Sequence, residues 1–95
     1  MATPLSPAEK EQLSAQHRAW RVNGETASRT FTFADFPAAI GFVSRVALVS
    51  EKADHHPDID IRWNRVTLVL TTHSLGRLSD LDRALIETID GWEAP

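Results

Sequence analysis

The sequence predicts an α+β fold in the order α-β-β-α-β-β-α, a four-stranded antiparallel sheet covered on one face by three helices. Three observations carry this expectation. Asn23-Gly24 lies between two extended segments, a strong hairpin signal. Residues 35–52 place apolar side chains three and four apart, the period of a helix. Residues 58–63 alternate apolar and polar side chains, the period of a strand, and after a short gap Val66, Leu68 and Leu70 share one face of a second such segment, 66–71.

The elements follow in order. Ser6 can cap a first helix, with Pro7 at its first position and Glu9 completing a capping box; the helix is expected to end near His17. Segments 19–22 and 25–33 form the first hairpin, and Arg29, Phe31 and Phe33 alternate with Ser28, Thr30 and Thr32. The long helix, 35–52, carries two apolar stripes. Phe36, Ala39, Ile40, Val43 and Ala47 form one, and Phe42, Val46 and Val49 the other. One sheet face needs only one stripe. The first stripe is therefore expected on the sheet and the second at a subunit contact, which favours a homodimer or homotetramer through the long helix or a sheet edge. In the second hairpin, Ile59, Ile61 and Trp63 share one face and Val66, Leu68 and Leu70 another. Keeping both apolar sets together pairs Trp63 with Val66, Ile61 with Leu68 and Ile59 with Leu70, with a two-residue turn at Asn64-Arg65. Trp63 is expected mainly in the core. Ser79 caps the last helix with Asp82 at its third position, and Leu81, Leu85, Ile89 and Trp92 give its apolar stripe.

The 95 residues fit one domain, 1–95, too short to bury a large core, so self-association would help it. A net charge of -3 without a basic block argues against direct nucleic-acid binding. The absence of cysteine excludes disulfides, thiolate chemistry and cysteine-ligated zinc. No apolar run approaches membrane-spanning length, and no basic-then-apolar start marks a secretory signal, so the cytoplasm is the expected location.

The chemistry concentrates in Glu51-Lys52-Ala53-Asp54-His55-His56-Pro57-Asp58, which joins the long helix to the third strand. Extending the expected ladder sets His56 opposite His73, although Pro57 cannot donate a ladder hydrogen bond. Three imidazoles and several carboxylates then converge at one end of the sheet. Histidine titrates near neutrality and can act as acid or base, and two neighbours can divide the roles. Glu51 and Asp54 can hydrogen-bond the rings and fix their tautomers. This is equipment for proton transfer, as in a dehydration; no glycine-rich phosphate loop or nucleophile motif is present. A bland reading makes the His pair solvent-exposed decoration, His17 a helix-end cation and Asp82 only a cap. A zinc site is a third reading, but the spacing matches no common zinc motif, so no metal is expected.

Glu51, His55-His56-Pro57, Trp63, His73 and Asp82 resemble the signature of the pterin-4a-carbinolamine dehydratase family. The resemblance runs back through the long helix, Asp35-Phe36 and Phe31-Thr32-Phe33 to Trp20, and so covers nearly the whole chain. It implies dehydration of a 4a-hydroxytetrahydropterin to the quinonoid dihydropterin during tetrahydropterin recycling, with no metal or redox cofactor. It also implies dimers or tetramers, some of which partner a transcription factor. Carried over, His55 and His73 are the proton-transfer pair, and His56 binds the pterin with possible catalytic help. Glu51 and Asp54 position imidazoles or the pterin, Thr72 lends backbone groups, Trp20 shapes the pocket wall, and Asp82 and Pro57 support the site. A non-catalytic assembly partner on the same fold is the alternative. One departure from the family pattern is Leu75-Gly76-Arg77-Leu78, where small residues, frequently glycines, are usual.

Overall fold

A computed structural model describes residues 2–92. Helix α1 spans Pro7–Gln16, strand β1 Arg21–Asn23, β2 Thr26–Thr32, helix α2 Phe36–Ala53, β3 Asp58–Arg62, β4 Arg65–Leu70 and α3 Asp80–Asp90. The order is the one the sequence predicts, with the strands in one antiparallel sheet, β1-β2-β4-β3. Ala27, Val66, Leu68 and Leu70 from one sheet face share a single core cluster with Leu13 of α1, Ala39 and Val46 of α2, and Leu85, Ile86 and Ile89 of α3. All three helices therefore lie on that face. Thr30 and Thr67, hydroxyl to hydroxyl at 2.9 Å, belong to the polar opposite face.

The helix ends are set locally. Ser6 and Ser79 each cap in a full capping box with Glu9 and Asp82, and Asp35 accepts from the Ala38 amide at 2.9 Å. In the first hairpin Asn23 pairs with Thr26, so the turn residues are Gly24-Glu25, one place later than expected. Gly24 takes φ +63°, a left-handed conformation natural to glycine.

Two expectations are corrected. The stripes of α2 are divided differently: Ala39 and Val43 of the first join the second on the core. Val46 is fully buried, and the Phe42 ring lies 4.6 Å from that of Phe31 and 5.0 Å from that of Phe33, so Phe42, Val46 and Val49 pack on the core. Phe36, Ile40 and Ala47 are exposed instead, alongside Leu48. Both stripes are apolar and helically spaced, so periodicity could not choose between them; the aromatic partners on β2 do. The second hairpin is shifted by two residues: Ile61 pairs with Val66, Ile59 with Leu68 and Asp58 with Val69. A two-residue shift keeps every side chain on its face, so the apolar pattern permits both registers. The turn residues are Trp63-Asn64, with Trp63 at φ +52° and 69% exposed rather than in the core.

Glu25 joins three parts of the fold. Its carboxylate accepts from Lys10 of α1 at 2.9 Å and from the Leu78 amide ahead of α3 at 3.1 Å. These contacts, Lys10 first, hold its carboxyl below the ordinary value. A depressed carboxyl stabilises the fold above the ordinary carboxylate range, and that contribution is lost as pH falls through the lowered folded value. Glu25→Gln is therefore expected to lower the urea midpoint at pH 7, with the gap to wild type closing in acid. An equal gap at all pH values would contradict this.

Candidate active site

The site forms where α2 ends and β3 begins. Asp54, at φ +52°, stops the helix in a left-handed turn that Asp tolerates better than most side chains. The reversal lets the His55 amide reach the Ser50 carbonyl at 3.1 Å, which turns the His55 ring inward while His56 faces solvent. Pairing starts at Asp58, just after Pro57, whose missing N–H ends the ladder there. Pro57 thus holds the loop at the strand entrance.

His55 is 8% exposed, and its Nε2 lies 2.5 Å from Oδ1 of Asp82, which is 0% exposed. The other Asp82 oxygen accepts from the Thr72 hydroxyl at 2.8 Å and the Ser79 amide at 2.9 Å. The Thr72 and Ser79 hydroxyls are also in contact, at 2.5 Å. Thr72 has one hydroxyl proton, which goes to Asp82, so Ser79 donates to Thr72. A carboxylate can only accept, so the His55 Nε2 carries its proton and Nδ1 is the ring nitrogen Asp82 leaves unengaged. Asp82 thus acts through one oxygen on the helix cap and through the other on the histidine.

Asp54, His55, His56, Thr72, His73, Ser74 and Leu81 line one cavity of about 250 Å³. The three imidazoles therefore converge as expected, although the shifted register removes the direct opposition of His56 and His73. His56 Nε2 bonds Glu51 Oε1 at 2.8 Å in an exposed pair, which orients the ring but adds little stability. His73 is exposed, with Nε2 at 3.8 Å from Asp58, beyond hydrogen-bond reach.

Two expected site residues are placed differently. The Thr72 amide donates to the Arg77 carbonyl at 3.0 Å, and its carbonyl accepts from the Leu75 and Gly76 amides. Its backbone is thus engaged in its own loop, and its contribution runs through the hydroxyl on Asp82. Gly76, at φ +64°, makes that tight loop, and Arg77 is exposed on it. Trp20 does not line this cavity. It is buried in the core, and its indole N–H donates to Asp90 at 2.8 Å. Asp90 also accepts from Arg29 at 2.9 Å and meets His17 Nδ1 at 2.7 Å, an ionic tie between the end of α3, β2 and the end of α1. A larger cavity, about 500 Å³, opens over this tie and holds no second histidine. From sequence, Ser79 is read only as a cap and Leu81 only as part of the apolar stripe of the last helix, and Ser74 carries no signal. Among the described residues no group of three or more His, Cys, Asp or Glu side chains converges as a metal site, and no helix is long and apolar enough to cross a membrane.

Comparison with known proteins adds the following. A family model described as pterin 4 alpha carbinolamine dehydratase matches residues 3–92. A relative from Chloroflexus aurantiacus (strain ATCC 29366 / DSM 635 / J-10-fl) is 52% identical over 86 residues, covering 90% of this chain and 92% of its own. Another, from Roseiflexus sp. (strain RS-1), is 49% identical over 90 residues, covering 95% and 97%. Both carry a provisional pterin-4-alpha-carbinolamine dehydratase name. A crystal structure of a transcriptional coactivator/pterin dehydratase from Brucella melitensis superposes with TM-score 0.86 at 32% identity, covering 94% of this chain and 97% of that one. A pterin dehydratase-like protein identified as a RuBisCO assembly factor in the alpha-carboxysome superposes with TM-score 0.65 at 26% identity, covering 79% and 89%.

Proposed function

Because the chain belongs to the pterin-4a-carbinolamine dehydratase family, we propose that it dehydrates a 4a-hydroxytetrahydropterin to the quinonoid dihydropterin and water. The observation that carries this reading is the buried Asp82 that holds His55 in one tautomer on a cavity shared with His56 and His73. The reaction removes the N5 proton, forms the N5=C4a double bond as the C4a–O bond breaks, and gives the departing hydroxyl a proton. Two groups of opposite proton duty suffice.

The geometry favours His55 as base. Its Nδ1 holds the free lone pair, and the imidazolium that forms sits beside the Asp82 carboxylate, as in other carboxylate-oriented histidines. His73, exposed on the same cavity, is then the acid, and it regains its proton from water. His56, oriented by Glu51, binds the pterin. Asp54, on the rim, is placed to accept from pterin N–H groups. We place the reaction in tetrahydropterin recycling in the cytoplasm, carried out by a homo-oligomer. A non-catalytic assembly partner on the same fold would need the Asp82–His55 bond for stability alone, and would not need His56 and His73 on the same cavity.

The test is dehydration of freshly generated 4a-hydroxytetrahydropterin, measured above the spontaneous rate. Activity is expected to survive exhaustive chelation and dialysis unchanged, since imidazoles alone move both protons. Activity that disappears on chelation and returns with zinc would promote a metal-dependent hydrolase in its place.

A further inference from the structure

His55 is held by Asp82 and His56 by Glu51, but the His73 ring has no hydrogen bond among the described residues, and Asp58 stands 3.8 Å from it. The place of His73 is therefore set by the backbone that carries it. That backbone is a loop closed on itself. The Thr72 amide donates to the Arg77 carbonyl at 3.0 Å, and the Thr72 carbonyl accepts from the Leu75 amide at 3.0 Å and the Gly76 amide at 2.9 Å. These bonds fix the shape of the loop. How the loop stands against the sheet depends on what ties its two ends.

Glu25 touches both ends from outside the site. It lies in the turn between β1 and β2 and lines no part of the histidine cavity. Its carbonyl accepts from the Thr71 hydroxyl at 2.7 Å, just before the loop. Its carboxylate Oε1 accepts from the Leu78 amide at 3.1 Å, just after the loop, and Oε2 accepts from Lys10 of α1 at 2.9 Å. Leu78 is fully buried, so its amide has no water to turn to if that acceptor is lost. The causes that lower the Glu25 carboxyl include, after Lys10 and the Leu78 amide, the charge of Arg77 on the loop itself. The inner side of the same neck is closed by the Thr72 hydroxyl on Ser79 and Asp82, a tie that His55 shares. The Glu25 tie does not reach the His55 network.

We propose that Glu25 is a positioning residue for the acid: by bonding both ends of the loop at residues 72–77 it sets where His73 stands against the substrate and His55, without touching either. The inference rests on the pterin reading of that site. Any residue at position 25 keeps the carbonyl tie to Thr71. A change of side chain therefore releases only the Leu78 end, and the loop is loosened rather than detached.

Kinetics and nuclear magnetic resonance on variants shown to be folded by circular dichroism test this. Glu25→Ala is expected to lower kcat about tenfold, less than the roughly 10²-fold of a full 1 Å misplacement, because the Thr72 tie remains. KM should change little, since His56 and Asp54 bind the pterin. Glu25→Gln keeps an oxygen for the Leu78 amide while Lys10 turns to water. It is expected to keep the wild-type kcat although it lowers the urea midpoint. A kcat that falls in step with the midpoint in both variants would make Glu25 merely structural and overturn the role. In the His73→Ala background, Glu25→Ala is expected to cost no further kcat, because both act through one group. The same loss in both backgrounds would show that Glu25 does not act through His73. The ring protons of His73 read the loop without activity. They are expected to shift in Glu25→Ala and to keep their wild-type positions in Glu25→Gln. An unmoved His73 ring in Glu25→Ala overturns the positioning whatever the kinetics. A wild type without dehydration activity whose His73 ring does shift on Glu25→Ala would overturn the pterin reading and leave the loop tie standing.

Discussion

His55→Ala is expected to lower kcat for dehydration by about 10²–10⁴-fold, the usual contribution of a positioned acid or base. The loss will lie toward the lower end if His56 or water takes over part of the role. His73→Ala is expected to lower kcat too, while His56→Ala chiefly raises KM. The three variants differ in what they do to the fold. His56 and His73 are exposed, and their removal should leave stability within about 0.5 kcal/mol of wild type. His55 is not a neutral truncation, because alanine leaves a fully buried carboxylate without its partner. Leaving a buried charged group short of one hydrogen bond costs about 3 kcal/mol, a large part of the 5–15 kcal/mol that typically holds a domain together. His55→Gln, which retains a donor toward Asp82, separates the two effects: it should recover most of the stability and none of the rate. Urea unfolding and steady-state kinetics on the same preparations decide the point. Recovery of activity by glutamine would show that the imidazole is structural.

Asp82→Asn is expected to be the second most damaging change. The amide is nearly isosteric, so the cap on α3 survives in part. Its oxygen can serve only one side of the network, the Thr72 and Ser79 donors or His55, whereas the carboxylate serves both. If the oxygen stays with Thr72 and Ser79, the amide N–H₂ faces His55 Nε2 and reverses the ring tautomer, leaving Nδ1 protonated and unable to accept. The expected result is a kcat loss comparable to His55→Ala with KM little changed, and a stability cost of about 1–3 kcal/mol for the disturbed buried hydrogen bonds. A purely structural Asp82 would give the stability loss with kcat intact. In the double variant His55→Gln/Asp82→Asn, the second change should cost little further activity, since both act through one group.

The fold was legible where its causes are local. Ser6 with Glu9 and Ser79 with Asp82 are capping boxes readable within four residues, and both helices start where those boxes place them. Gly24 marks the first hairpin because its backbone needs a left-handed residue. Legibility failed where two arrangements satisfy the same pattern. The second hairpin in either of two registers keeps Ile59 and Ile61 beside the core residues of β4, so the apolar pattern alone does not choose between them. The two stripes of α2 are alike in apolar content, and the contact of Phe42 with Phe31 and Phe33 is a tertiary fact. In the site, the convergence of His55, His56 and His73 was readable because both strands must enter from one end of the sheet. The Asp82–His55 bond was not readable as such. It joins residues 27 apart, and from sequence alone Asp82 as a cap and Asp82 as site support looked like alternatives. One carboxylate has two oxygens, and here each does one of the two.

If an Asp82-held His55 and an exposed His73 move the two protons of a pterin dehydration, removing both must abolish catalysis. The most direct measurement follows freshly generated 4a-hydroxytetrahydropterin by its absorbance change in three parallel reactions, with wild-type protein, with His55→Gln/His73→Ala, and without protein. The prediction is a wild-type rate well above the spontaneous one and a double variant that is folded by circular dichroism but indistinguishable from no protein. A folded double variant that keeps the wild-type rate, or a wild type no faster than the spontaneous reaction, would rule out proton transfer by His55 and His73.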